Sequence, residues 1–71
     1  MFKDKSRFNQ QDVEKMQTSG KYGSFWDDVF KTRFFFVHTT YNGKKAIFQT
    51  VDGKEMELTK YEIQIYYGIY L

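Results

Sequence analysis

The segment RFFFVHTTYNGKKAIFQTVDGKEMEL, residues 33–58, sets two glycine turn signals between three runs of strand-forming residues. Asn42-Gly43 and Asp52-Gly53 each suit a two-residue type I′ turn, in which both central residues need positive φ. Counting back from two such turns sets the register. His38 then faces Ile47 and Phe36 faces Gln49, while in the second hairpin Gln49 faces Met56 and Ile47 faces Leu58. Successive side chains of a strand point to opposite faces. One face therefore collects Phe34, Phe36, His38, Ile47, Val51, Met56 and Leu58. The other collects Phe35, Val37, Ala46 and Phe48 before turning acidic at Glu55 and Glu57. A strand over a single core alternates apolar with polar residues, and Phe34-Phe35-Phe36 does not. Either the first helix covers the second face, or that face meets a partner.

Upstream, the chain reads as helical. Asn9 is placed to cap a helix over NQQDVEKMQTSG, with Phe8 and Val13 as a hydrophobic staple and Gly20 as its end. SFWDDVFKTR (residues 24–33) reads as a second, shorter helix: Ser24 and Asp27 have capping-box spacing, and Phe25, Trp26, Val29 and Phe30 share one helical side. Downstream, YEIQIYYGIYL alternates in the manner of a fourth strand. It puts Ile63, Ile65, Tyr67, Ile69 and Leu71 on one side, and Glu62, Gln64, Tyr66 and Tyr70 on the other. The expected class is α+β: two short N-terminal helices followed by a three- to four-stranded antiparallel sheet that either stays open or curls into a small SH3-like barrel.

The totals fit one domain over residues 1–71, with residues 1–8 as a flexible basic arm. So short a chain has little core, and with no cysteine and one histidine neither disulfides nor zinc reinforce it. Aromatic residues, 21% of the chain, supply the core mass instead, since each buried ring removes about 150–250 Å² from water. No apolar run approaches the roughly 18 residues of a membrane span, and the N-terminus lacks the apolar stretch of a signal peptide. These features lead to the expectation of a cytoplasmic protein with no membrane partner. Phe, Tyr, Ile, Lys and Asn total 29 residues against eight for Gly, Ala, Arg and Pro, a bias typical of AT-rich coding DNA, as in many phages and low-GC bacteria, which with the small size suggests a phage- or mobile-element-type protein.

Chemistry is sparse. His38 falls among apolar residues, no ligand spacing for a metal is visible, and no cofactor is expected. Ser6, Ser19 and Ser24 lack a neighbouring base, and Ser24 has a capping role. Asp27/Asp28 and Glu55/Glu57 are carboxylate pairs without the other parts of an acid–base site. SGKYGS has two glycines but follows no strand, unlike a dinucleotide loop. The sequence therefore points away from an enzyme. It suggests a small binding protein, of the modulator or inhibitor kind, that engages a host protein through an aromatic sheet face or an edge strand. Phe35, Phe48, Tyr66, Tyr70, Glu55 and Glu57 are its candidate contacts, and an edge strand would also permit a homo-oligomer.

The alternative is nucleic-acid binding. There the same sheet aromatics stack bases while Lys3, Lys5, Arg7, Lys44 and Lys45 meet phosphates. In a winged-helix variant of that reading, NQQDVEKM and SFWDDVFK form the helix pair. The basic excess does lie in the N-terminal part: residues 1–22 hold five basic and three acidic groups, against six of each in residues 23–71. Opposing it, Glu55, Glu57 and Glu62 share the expected platform and would repel a phosphate backbone.

Overall fold

The computed structural model describes residues 6–71; Lys3 and Lys5 lie outside the described residues. The architecture is α+β. Two short helices, α1 (Gln10–Thr18) and α2 (Gly20–Gly23), precede a curled antiparallel sheet of β1 (Ser24–Asp27), β2 (Thr32–Thr39), β3 (Lys45–Gln49) and β4 (Glu55–Thr59). Helix α3 (Lys60–Tyr67) follows β4 directly. The strands lie in sequence order, so β1 and β4 are the two edges of a half-barrel.

Helix α1 begins as its sequence implies. Asn9 Oδ1 accepts from the Asp12 backbone N–H at 2.8 Å, and Asp12 Oδ2 accepts from the Asn9 N–H at 3.1 Å, a reciprocal capping box. Phe8, placed at the end of the expected arm, is buried in the core and donates its N–H to the Gly43 carbonyl at 2.8 Å. Val13 packs against the same core, completing the staple. The helix ends at Ser19, and Gly20 opens α2 instead of closing α1.

The expected second helix is a correction: residues 24–27 form β1, and residues 28–31 form the turn into β2. Burial alternates as a strand requires, with Phe25 and Asp27 buried and Trp26 half-exposed. The Asp27 side chain does cap a backbone N–H, but that of Phe30 in the turn, at 2.8 Å. An aromatic pair, two aspartates and another apolar pair thus fit a strand end and the turn after it as readily as one helical face. With β1 in that place, the helix pair of a winged-helix reading does not form.

Both hairpin loops are longer than two residues. Thr40 N–H bonds the Lys45 carbonyl, leaving residues 41–44 as the first loop, and Gly43 alone there takes positive φ (71°). In the second, Thr50 N–H bonds the Lys54 carbonyl and Gly53 N–H bonds the Thr50 carbonyl. This is a three-residue loop with a left-handed glycine (φ 93°), the form that adds a bulge to a hairpin. It moves β4 by one residue, so that Phe48 faces Met56 and Ala46 faces Leu58. In the first hairpin His38 does face Ile47, but a bulge leaves Val37 unpaired and Phe36 faces Phe48.

Together these single-residue shifts exchange the faces of β3. Phe48 and Ala46 turn inward and are fully buried with Phe34, correcting their expected place beside Phe35. His38, expected over the core, is exposed, and Val51, expected there too, stands in the open at a loop. Ile47 is buried, but outside the main core cluster.

The second large correction is α3, which replaces the expected fourth strand. Thr59 Oγ1 accepts from the Glu62 N–H, and the Glu62 carboxylate accepts from the Thr59 N–H, forming another capping box. Gly68, at φ 67°, ends the helix in a left-handed stop; its N–H bonds the Gln64 carbonyl, and the Ile69 N–H bonds that of Ile63. The helix turns Ile63 into the core, and Ile69 joins it from beyond the helix end.

Tyr67 closes the half-barrel. Its ring stacks on Phe25 with centroids 3.7 Å apart, and Phe25 in turn meets Phe34 and Phe48 at 5.4 and 4.9 Å. Its hydroxyl donates to Asp27 Oδ1 at 2.8 Å and lies 3.5 Å from Met56 Sδ, so one side chain touches both edge strands.

Candidate functional site

With the inner face filled by the core and α3, the outer face of the sheet can be read from its register. Ser24, Phe35, Gln49 and Glu55 form one row across all four strands. Trp26 and Arg33 form the row on one side of it, and His38, Ile47 and Glu57 the row on the other. The face therefore grades from aromatic on β1 and β2 to acidic on β4.

Trp26 is 50% exposed, Phe35 45% and Val37 42%, although all three belong to strands. Two polar contacts brace the β1–β2 end of this face. The Trp26 indole N–H donates to Asp28 at 3.1 Å, and the Arg33 guanidinium reaches the Ser24 hydroxyl at 3.3 Å. On the acidic side the Gln49 amide donates to Glu55 at 3.0 Å, and the Lys45 ammonium stands 4.0 Å from Glu57. Those contacts are exposed and weakly stabilising, which leaves both carboxylates available to a stronger partner.

The candidate contacts inferred from sequence separate accordingly. Phe35, Glu55 and Glu57 share the outer face. Phe48 is withdrawn from it by full burial. Tyr66, on α3, and Tyr70, just beyond it, are 67% and 65% exposed, and neither lies in the strand rows that hold Phe35. Of the cations in the nucleic-acid alternative, Arg7 and Lys44 are exposed, and Lys45 lies beside Glu57. Trp26 is the residue that sequence reasoning missed. Reading 24–27 as a strand would have put it on the face of Phe35, by alternation with Phe25 and Asp27.

The titratable groups with displaced equilibria are structural. The Phe30 N–H, with the Tyr67 hydroxyl and the Val29 backbone, holds the Asp27 carboxyl below its ordinary value despite burial. Burial first, then the Asp27 carboxylate, pushes the Tyr67 phenol up to about 12. Asp52 is held down to about 2, chiefly by the Lys54 ammonium and the Thr50 hydroxyl in its turn. Ser19 and Ser24 are engaged locally: Ser19 Oγ accepts from the Lys21 N–H, and Ser24 donates to the Gly20 carbonyl. Among the described residues no three acidic or histidine side chains gather as a metal site, and no helix is long and apolar enough to cross a membrane. No family model, curated protein or solved structure matches the chain.

Proposed function

We propose that the protein is a small non-enzymatic binding module, of phage or mobile-element type, that modulates a host protein by docking the outer face of its sheet in the cytoplasm. The half-exposed group of Trp26, Phe35 and Val37 carries this reading. Rings fixed on paired strands lose little freedom on binding, and aromatic residues supply much of the energy of protein interfaces once desolvated. Glu55 and Glu57 border that group and favour a partner with basic residues beside an apolar anchor. The AT-rich composition supports the suggested origin.

Capture from the host lysate with nuclease present tests the proposal. Retention of one protein, lost at least tenfold with Phe35→Ala or Trp26→Ala while thermal stability is kept, supports it. Retention that disappears on nuclease treatment, and weakens steeply with salt, points instead to nucleic acid.

A further inference from the structure

An antiparallel ladder alternates residues whose backbone groups point towards the neighbouring strand with residues whose groups point away. On β4 this alternation can be fixed. Thr50 N–H bonds the Lys54 carbonyl, so Lys54, Met56 and Leu58 address β3. Glu55, Glu57 and Thr59 must then turn their N–H and C=O groups away from the sheet. Thr59 confirms the parity, because its N–H is taken by the Glu62 carboxylate at 2.9 Å. The open part of the edge is therefore the backbone of Glu55 and Glu57, and no backbone hydrogen bond from another described element reaches it. Both side chains are exposed on the outer face.

Charge decides what can add there. Two copies pairing antiparallel through these edges would set glutamate opposite glutamate in every hydrogen-bonded alignment of residues 55 and 57. Acidic side chains on an edge thus guard against self-association. The same carboxylates attract a cationic strand, whose side chains would stand directly opposite them.

We propose that β4 accepts an extended segment of a partner protein, antiparallel, with lysine or arginine at alternate positions facing Glu55 and Glu57. The proposal rests on the protein-binding reading above and specifies its partner. In such a pairing the basic residues are also the ones whose amides bond the edge, and the amides of the intervening residues point away.

That geometry gives a sharp test. The probe is a capped seven-residue peptide alternating lysine and valine, N-methylated either on every valine or on every lysine. The valine-methylated form is expected to shift the Glu55 and Glu57 amide resonances of the intact protein, and the lysine-methylated form to bind at least tenfold more weakly. A Glu55→Lys/Glu57→Lys variant, folded because both positions are exposed, is expected to prefer the matching glutamate–valine peptide. Unmoved Glu55 and Glu57 amides, equal binding of the two methylated forms, or a double variant without reversed preference would each overturn the proposal. If the edge fails these tests while Phe35→Ala and Trp26→Ala still abolish partner capture, the edge assignment falls and the binding module stands.

Discussion

Asp27 sits out of water at one edge of the sheet, with the Phe30 N–H on one carboxylate oxygen and the Tyr67 hydroxyl on the other. Both donors favour the ionised carboxylate, and that carboxylate in turn favours the protonated phenol. The Asp27 carboxyl is lowered from 3.8, so its contribution is complete above that value and is lost as pH falls through the folded value. The Tyr67 phenol is raised from 10.0 to about 12, so its contribution is complete below the first value and is lost as pH rises through the second. Ultraviolet titration should find one of the six tyrosines ionising near pH 12. Tyr67→Phe should remove that late step and cost about 1–3 kcal/mol in urea unfolding, because a buried carboxylate oxygen is left unpaired. The phenylalanines divide just as sharply. Phe48→Ala should cost about 3–5 kcal/mol and leave the domain barely folded, whereas Phe35→Ala should change stability by about 1 kcal/mol or less. Phe34, Phe35 and Phe36 already announce a sheet with apolar side chains on both faces. Which β3 residues join each side depends on one unpaired residue, Val37, whose insertion leaves no mark in hydrophobic patterning.

Among the elements, the three with clear local signals are those legible beforehand: α1 from its Asn9 cap and Phe8–Val13 staple, and the two hairpins from their glycines. Strand β1 and helix α3 were read in the wrong period. Four residues of β1 offer too few positions to distinguish strand from helix, and α3 carries apolar residues at alternate positions, as a strand would. The decisive signals in α3 were its ends, Thr59-Lys60-Tyr61-Glu62 as a capping box and Gly68 as a stop, which outweigh the alternation between them. For the candidate site the consequence is specific. Phe35, Glu55 and Glu57 were reachable by alternation, Trp26 was hidden by the helix reading, and Phe48 was misplaced by the bulge. A separate constraint acts where α2 meets α1. A Cβ built on Gly23 would lie 1.9 Å from the Met16 carbonyl oxygen, a contact no side-chain rotation can relieve. Gly23→Ala should therefore cost about 1–3 kcal/mol or more in chemical denaturation, while Gly20→Ala, which meets only the Ser24 hydroxyl at 3.9 Å, should be far milder.

At the scale of the whole molecule, contacts between distant parts of the chain hold the small core together. Lys60 Nζ donates to Asp12 Oδ2 at 2.7 Å, joining the start of α3 to the first turn of α1, with their side chains only 22% and 6% exposed. Lys60→Met would strand the Asp12 carboxylate. The expected cost is about 1–3 kcal/mol, less than for a fully enclosed pair because Lys60 retains some water. Phe8 ties the N-terminal side to the loop at Gly43, so Phe8→Ala should lower the unfolding midpoint while leaving the proposed docking by the outer face unchanged.

The clasp of Tyr67 between the two edge strands also has a consequence in time. Phe25, Phe34 and Phe48 are made before the segment that covers them, so their rings have no lid until Ile63, Tyr67 and Ile69 are in place. A chain cut off ahead of residue 63 should therefore leave those rings in water, bind a hydrophobic dye and be digested by protease far faster than the full 71 residues.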